Sequence, residues 1–267
     1  MSSAPITSDQ AIEALRWWAQ AGVEWTLEDA PRNRFDEIVA PKAPAAPAPP
    51  AARAPRASFL ASPADEAVRA AEELASEAPS LDALRQAVAG FAGSALRSSA
   101  TQSVFGEGPL GALVMFIADV PSADDDRAGR PFAGSEGRLL DNMLKAIGLD
   151  RTKVYLAQAS PWRPPGNRAL TAQETAIGTA FLRRQIALVA PRTIVCLGAA
   201  ATQALLEVKE PFIRLRGRWR DFVALDGDPI KAMPMFSPGD LIRQPLQKRA
   251  AWQDLRLLAA FLACRES

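Results

Sequence analysis

Four segments of strand length constrain the fold of this chain more than any other feature of its sequence. They are LVMFIADV at 113–120, KVYLAQAS at 153–160, TIVCLG at 193–198 and a run at 230–236. Helical patterns lie between and after them, at 135–147, 171–189, 199–207 and 245–263. Continuous apolar runs are typical of strands buried on both faces, and strand–helix alternation favours a parallel sheet. We therefore predict the α/β class, with a central four-stranded parallel sheet in a three-layer αβα domain.

The first 57 residues have a different character. Residues 8–21 predict a short amphipathic helix, with Ser8 as its N-cap and Ile12, Leu15 and Trp18 at helical spacing. Six prolines in PKAPAAPAPPAARAPRA, residues 41–57, predict an extended linker. The predicted domains are thus a helical extension at 1–40, a linker at 41–57 and the α/β domain at 58–267. Two further helices are expected within 63–91, with Ser80 capping the second.

Composition excludes several chemistries. The chain has no histidine, which rules out a Ser-His-Asp triad, a Cys-His dyad and any histidine-ligated metal site. Its two cysteines, Cys196 and Cys264, are too few for a zinc site or a four-cysteine iron–sulfur cluster. With no disulfide framework, no signal-peptide pattern and no run of membrane-spanning length, the sequence predicts a soluble cytoplasmic protein. Nothing in it indicates self-association, so a monomer is expected.

The segments that follow the predicted strands carry the most specific patterns, and ligands of parallel sheets bind at those strand ends. The blocks GRPFAGSEGRLLDNML (129–144), PWRPPGNR (161–168) and QPLQKRAAWQDL (244–255) stand in order along the chain. Together they resemble the family 4 uracil-DNA glycosylases, most closely the alphaproteobacterial type with an N-terminal extension. The resemblance covers about residues 80–262. It implies an enzyme that flips uracil out of DNA and hydrolyses its N-glycosidic bond, without a nucleophilic side chain.

The two motifs that would carry this chemistry differ from the family pattern. The family's Gly-Glu-Ala/Gly-Pro-Gly is here residues 118–122, Ala-Asp-Val-Pro-Ser, so Asp119 would orient water and Val120 would face the base. The family's His-Pro-Ser-Tyr is here residues 237–240, Ser-Pro-Gly-Asp. The resemblance makes Ser237 the catalytic donor to the uracil carbonyl in place of histidine. A neutral hydroxyl in that role implies a loss of roughly 100- to 1000-fold.

Other positions of the family pattern are kept or replaced one by one. Phe132 stands where a ring stacks under the flipped base, and Gln158 replaces the asparagine that reads the base edge. Ser94 and Gly178 stand where cluster cysteines are expected. The resemblance therefore implies that the 4Fe-4S cluster of the family is absent, and no other metal or cofactor is predicted. Cys196, inside an apolar run, is expected to be a buried structural thiol.

Near neutrality of the whole chain, which has a net charge of +1, hides an uneven distribution of charge. We define the basic segment as residues 151–220, with twelve Lys or Arg against three Glu and a net charge of +9. A one-sided excess of this kind is expected of a phosphate-binding surface. The predicted DNA-binding residues are Arg163, Arg168, Arg214, Arg216 and Arg218. The acidic run Asp124–Asp126 is expected to be a solvated loop rather than a metal site.

Three functions remain open on the sequence alone. The first is a uracil-DNA glycosylase with weak activity. The second is a protein that binds DNA and a flipped uracil-like base, in single- or double-stranded DNA, after hydrolysis has been lost. Substitutions concentrated at chemical positions, amid intact neighbouring blocks, favour weak or lost hydrolysis. The third is a protein-interaction module acting through the N-terminal helix and linker.

Overall fold

The computed structural model describes Ile12, residues 63–225 and residues 228–266. Apart from Ile12, which lies in a helix, the predicted extension at 1–40 and the predicted linker at 41–57 lie outside these residues. The chain divides into two units, Met1–Ser58 and Phe59–Ser267. Every element described below belongs to the second unit.

A single sheet forms the centre of this unit. Its strands are β1 (Val114–Ala118), β2 (Val154–Gln158), β3 (Thr193–Leu197), β4 (Arg220–Phe222) and β5 (Ile230–Met235). Their order is β2-β1-β3-β5-β4, and β1, β2, β3 and β5 are parallel. Because β1 lies between β2 and β3, its carboxyl end stands where the strand order reverses, which is where ligands of such sheets bind.

Helices cover both faces of the sheet, which confirms the predicted three-layer αβα architecture. One face packs against α5 (Ser135–Ala146), α9 (Pro238–Arg243) and α10 (Lys248–Glu266) through an apolar cluster that includes Phe116, Leu140 and Leu258. The other packs against α6 (Ala172–Val189) and α7 (Ala199–Leu206) through a second cluster. The remaining short elements are α4 (Ala123–Ala128), α8 (Phe212–Leu215) and two 3-10 turns, Pro165–Asn167 and Pro245–Gln247.

Among the described residues from 63 onwards, three helices precede the sheet: α1 (Pro63–Glu77), α2 (Leu81–Gly90) and α3 (Ala95–Ser99). The predicted cap of α2 is confirmed, because the Ser80 hydroxyl accepts a hydrogen bond from the Ala83 amide at 3.2 Å. These helices pack on α6 through a third apolar cluster, in which the rings of Phe91, Trp162 and Phe181 lie against one another.

The strand count differs from the prediction. A fifth strand, β4, pairs antiparallel with the edge of β5, with Asp221 opposite Lys231. Only three residues long and half-exposed, β4 has neither the length nor the apolar pattern that predicts a strand. The four predicted strands are all present and all parallel to one another.

Candidate functional site

A cavity of about 640 Å³ opens at the carboxyl ends of β1 and β2. Its walls come from the loop after β2, the start of α6 and one face of α7. The lining residues are Asp119, Val120, Ala159, Asn167, Arg168, Ala169, Leu170, Thr175, Ala200, Gln203 and Ala204. Apolar and small side chains therefore dominate the lining, and polar side chains sit among them.

Asp119 brings the carboxylate of the first motif into this cavity. One of its oxygens accepts a hydrogen bond from the Ala201 amide in the first turn of α7. A side chain at Gly198, whose φ is +99°, would approach this carboxylate to 2.9 Å, so the turn before α7 needs glycine here. Burial is the main cause that raises the pKa of Asp119 to about 6, against the lowering effect of the Ala201 amide. The predicted water-orienting carboxylate thus lies in a cavity and partly protonates near neutral pH.

The rest of the first motif builds a helix start. The Ser122 hydroxyl accepts from the Asp125 amide at 3.2 Å, and the Asp125 carboxylate accepts from the Ser122 amide at 3.0 Å. This reciprocal pair is a capping box for α4. Val120, predicted to face a base, is half-buried and lines the cavity beside Asp119.

Gln158 is tied to the same helix start. Its amide nitrogen donates to Asp125 Oδ2 at 3.0 Å, and the side chain is buried. Since a carboxylate only accepts, Asp125 fixes the orientation of the Gln158 amide. The Gln158 oxygen is buried and has no hydrogen-bond partner within the described residues. An acceptor of this kind is expected where a ligand donates a hydrogen bond.

Phe132 is held in an unusual conformation. Its φ is +53°, and its carbonyl oxygen accepts from the Arg151 guanidinium at 2.8 Å. A side chain at Gly137 would overlap that oxygen, so the first turn of α5 packs directly against the Phe132 backbone. Strained backbone of this kind is kept only where the surroundings enforce it. The Phe132 ring is buried in the apolar cluster on the α5 face of the sheet and is not among the cavity-lining side chains.

Ser237, the predicted donor of the second motif, is the N-cap of α9. Its hydroxyl donates to Asp240 Oδ2 at 2.8 Å and accepts from the Asp240 amide at 3.1 Å. The Ser237 amide also donates to Asp240, which completes a second capping box. The one hydroxyl hydrogen of Ser237 is therefore already given to a carboxylate.

Carboxylates gather around these strand ends. Burial raises the pKa of Glu136, and Asp125, Asp240 and Asp124 raise it further against the opposing effect of Arg243. Asp240 and Glu136 also contribute to the raised pKa of Asp119. We call Asp119, Asp125, Glu136 and Asp240 the acidic cluster. Of these four residues, only Asp119 could be identified as a site residue from the sequence. The spacing Ser-x-x-Asp at 122–125 and 237–240 was the available signal for two others.

Two of the predicted DNA-binding arginines lie in the loop after β2. Arg163 donates to the Asn167 side chain at 3.0 Å. The guanidinium of Arg168 forms an ion pair with Glu174 at 2.7 Å, and the Arg168 side chain remains 43% exposed beside the cavity.

The other three predicted arginines divide into two kinds. Arg214 and Arg218 are exposed, and no ion pair is found for them within the described residues. Arg216 points inward, where it pairs with Asp254 at 2.7 Å, donates to the Ala250 carbonyl at 2.7 Å and lies over the Phe236 ring. Its guanidinium is therefore engaged inside the domain, unlike the exposed position expected of a phosphate contact. Sequence alone does not tell inward from outward arginines in RLRGRWR.

The positions expected to hold an iron–sulfur cluster do not fit one. The Ser94 hydroxyl accepts from the Leu96 amide at 3.3 Å and caps α3. A side chain at Gly178 would overlap the Ala159 carbonyl oxygen. Phe91 and Trp162 stack with ring centres 6.1 Å apart, and Phe181 meets both rings edge-on. Within the part of the chain that the structure describes, no group of three His, Cys, Asp or Glu could hold a metal ion.

Burial decides the expectations for Cys196 and for the acidic run Asp124–Asp126. Cys196 is fully buried in β3, and burial raises the pKa of its thiol to about 12, which confirms a structural thiol. Asp124–Asp126 was predicted as a solvated loop, and this is wrong. The three residues lie in α4, where Asp125 and Asp126 are buried. Asp126 accepts from the Thr101 and Gln102 amides, contacts that explain its burial.

Among the described residues, no helix is both long and apolar enough to cross a membrane.

Comparison with known proteins identifies the family. The profile of the uracil DNA glycosylase superfamily matches residues 105–256. The chain belongs to this superfamily. Within it, relatives that are at least 30% identical over more than two thirds of their own length are named type-4 uracil-DNA glycosylases, so this is a family 4 member. The protein from Thermotoga maritima is 34% identical over 170 residues, which is 62% of this chain and 86% of the relative. That from Sulfurisphaera tokodaii is 36% identical, over 58% of this chain and 73% of the relative. A type-5 enzyme from Pyrobaculum aerophilum is 31% identical over a shorter stretch of 118 residues.

Proposed function

We propose that this family 4 protein binds DNA and a flipped uracil-like base but hydrolyses the N-glycosidic bond very slowly or not at all. One observation carries the proposal. At the position of the family's histidine, the Ser237 hydroxyl donates its only hydrogen to Asp240 at 2.8 Å. A donor already committed to a carboxylate does not stabilise charge that develops elsewhere in the transition state.

The charge around Ser237 argues in the same direction. Uracil leaves its sugar as an anion, so a catalytic pocket gains from positive or strongly polarised groups near the base. The acidic cluster supplies negative charge instead, and repulsion among its members contributes to the raised pKa values of Asp119 and Glu136. Arg243 partly offsets this charge, although one of its nitrogens is already paired with Asp240 at 2.6 Å. Excision is thus opposed by both a lost donor and an unfavourable field.

DNA remains the best-supported partner. The type-4 relatives are named uracil-DNA glycosylases, and this chain keeps the basic segment, with Arg214 and Arg218 exposed. The cavity that contains Asp119, with Asn167 and Arg168 in its lining, offers polar contacts for a base removed from the stack. The proposal includes single-stranded or uracil-containing DNA as the ligand, a monomer as the acting species and the cytoplasm as its location.

Absence of the iron–sulfur cluster is also part of the proposal. It is supported by the capping role of Ser94, the lack of room at Gly178 and the packed rings beside them. We expect the purified protein to be colourless. A broad absorbance near 400 nm, with iron in stoichiometric amount, would contradict this.

The decisive experiment measures DNA binding and uracil excision on the same preparation. Wild type should bind a uracil-containing oligonucleotide and release uracil very slowly or not at all. Ser237→His alone should gain little, because Asp240 remains beside the new side chain. The full revertant changes residues 237–240 to His-Pro-Ser-Tyr, residues 118–122 to Gly-Glu-Ala-Pro-Gly and Gln158 to Asn, and it should gain substantially more. Ser98→His, at an exposed serine, is the control for adding a histidine.

Two outcomes would overturn the proposal. Wild type that excises uracil at rates ordinary for glycosylases would show that Ser237 or another donor suffices. A folded full revertant that binds DNA but stays inactive would show that these side chains are not what limits hydrolysis. Effects within one site are expected to be non-additive, so the revertant is compared with each partial change.

A further inference from the structure

The pair formed by Arg168 and Glu174 has a geometry that a simple surface ion pair lacks. Arg168 Nη1 donates to Glu174 Oε2 at 2.8 Å and to the Ala169 carbonyl at 2.9 Å. Arg168 Nη2 donates to Glu174 Oε1 at 2.7 Å. The carboxylate therefore engages the end of the guanidinium, through both terminal nitrogens. The Glu174 side chain is only 11% exposed, whereas that of Arg168 is 43% exposed.

Glu174 is itself fixed by a helix. Its Oε2 accepts from the Thr171 amide at 2.8 Å, and its own amide donates to the Thr171 hydroxyl at 3.2 Å. This is the capping box that starts α6. The hydrogen bonds from Arg168 are the main cause that lowers the pKa of Glu174 to about 2, so this carboxylate is ionised at every ordinary pH. Arg168 thus takes its orientation from the rigid start of α6, although it lies in a loop.

A guanidinium has two edges that can bind an oxyanion with paired hydrogen bonds. The end-on edge of Arg168, formed by Nη1 and Nη2, is occupied by Glu174. The side-on edge, formed by Nε and the second hydrogen of Nη2, has no acceptor within the described residues. The Arg168 side chain is 43% exposed and lines the same cavity as Asp119, so the guanidinium is available to a ligand at this cavity.

We infer that Glu174 is a positioning residue, which holds Arg168 so that its side-on edge receives a DNA phosphate at the rim of the Asp119 cavity. The inference rests on the proposed DNA binding and deepens it by naming one phosphate contact and the residue that orients it. Paired hydrogen bonds to a phosphate add geometric selectivity to the attraction of opposite charges.

The direction in which one substitution changes DNA affinity distinguishes a positioning role from a simple effect of charge. Glu174→Gln removes a negative charge, which by itself tightens binding to polyanionic DNA. A positioning role predicts the reverse, since the freed guanidinium loses its fixed orientation. We expect Glu174→Gln to weaken binding of a fluorescein-labelled oligonucleotide by about threefold and Arg168→Ala by about tenfold. Fluorescence anisotropy measures both, with single-stranded and duplex forms of one sequence.

A double-mutant cycle then asks whether Glu174 acts through Arg168. The variant with both Arg168→Ala and Glu174→Gln should bind as Arg168→Ala does, within about twofold. Glu207→Gln is the matched control, because Glu207 pairs with Arg183 at 2.6 Å and neither side chain lines the cavity. It removes the same charge and should leave binding unchanged or slightly tighter.

Every result bears on the inference. Tighter or unchanged binding by Glu174→Gln overturns it, as does a loss that persists in the Arg168→Ala background. If Glu174→Gln fails to fold, Glu174→Asp replaces it, since it keeps the charge while drawing the carboxylate away from Arg168 by one methylene. Unchanged binding by a folded Glu174→Asp likewise overturns the inference. Wild type that binds no DNA would remove the proposed function as well, so the two failures are distinguishable.

Discussion

The loop after β5 and the loop after β2 both lead into a helix that begins with a capping box, yet they present opposite charges. Ser237 and Asp240 cap α9, and Thr171 and Glu174 cap α6. The box at α9 takes up the hydroxyl of a motif residue and leaves a carboxylate beside it. The box at α6 takes up a carboxylate and leaves an arginine partly exposed. The same local motif therefore occupies a hydrogen-bond donor at the end of β5, whereas after β2 it holds an arginine that stays partly exposed.

The pKa values of two carboxylates show what decides the difference. Asp119 is half-buried and has no ion pair within the described residues, and desolvation is the main cause that raises its pKa to about 6. Glu174 is bound by Arg168, whose hydrogen bonds lower its pKa to about 2. Both side chains lie near one cavity. A carboxylate at a strand end thus becomes either a group that titrates near neutral pH or a fixed anchor, depending on whether a guanidinium reaches it.

The largest expected effect concerns the arginine of the basic segment that points inward. Arg216→Ala should lower the free energy of unfolding by about 3–5 kcal/mol, because it leaves buried Asp254 without its partner. Burial raises the pKa of Asp254 even with Arg216 present, so the loss should be greatest at alkaline pH. Urea unfolding at two pH values measures it.

Arg214→Ala and Arg218→Ala are the matched controls for that experiment. Both side chains are exposed, so each should change stability by less than about 0.5 kcal/mol while weakening DNA binding and its salt dependence. Equal destabilisation by all three substitutions would remove the distinction between inward and outward arginines.

A smaller effect is expected at Asp119. Its folded pKa lies above the ordinary 3.8, so the folded state holds the proton more tightly and loses stability as pH rises from about 4 to above 6. Asp119→Asn keeps an oxygen for the Ala201 amide but cannot ionise. It should stabilise the protein by about 2 kcal/mol at pH 8 and much less at pH 4. Thermal unfolding across this range tests the sign, and a pH-independent difference would contradict it.

Glu174 should contribute a pH dependence of stability opposite to that of Asp119, and the same thermal unfolding series measures it. Its folded pKa lies below the ordinary 4.5, so its contribution to stability is present above that value and is lost as pH falls towards 2. The free energies of unfolding of wild type and Glu174→Gln should therefore differ less as the pH falls towards 2.

The smallest effect is expected at Ser237. Ser237→Ala removes the cap of α9 and should cost about 1 kcal/mol of unfolding free energy. Excision should stay at its wild-type level, because the hydroxyl is engaged with Asp240. Ser237→Thr should retain most of the stability. A selective loss of excision in a stable Ser237→Ala variant would instead give the hydroxyl a part in the chemistry.

The sheet could be predicted from the sequence because its parallel strands are mostly apolar segments of strand length that alternate with helical patterns. The antiparallel strand β4 could not, since its three residues gain their place by pairing with β5 rather than from their own pattern. Likewise, Asp126 appears in sequence as part of a charge run. Its partners Thr101 and Gln102 lie 25 and 24 residues away, and no local pattern reveals such contacts.

The candidate site shows the same limit. Resemblance and strand position placed Asp119 and Val120 at a strand end, and both line one cavity. Neither could show that Ser237 donates to Asp240 or that Gln158 is turned by Asp125, because these depend on side-chain direction. The inward course of Arg216 depends on Asp254, which lies 38 residues further along the chain. Partner choice over such separations is a property of the packed domain.

Gly178 has an evolutionary consequence. A side chain at this position would overlap the Ala159 carbonyl oxygen, and Trp162 fills the neighbouring interior with the rings of Phe91 and Phe181. A single mutation to cysteine here would bring the new side chain against the Ala159 carbonyl and should destabilise the domain. The rings would have to shrink and the loop after β2 would have to move first. Close packing around one missing Cβ atom thus makes the order of substitutions matter, because the neighbouring groups must change before a side chain fits at position 178.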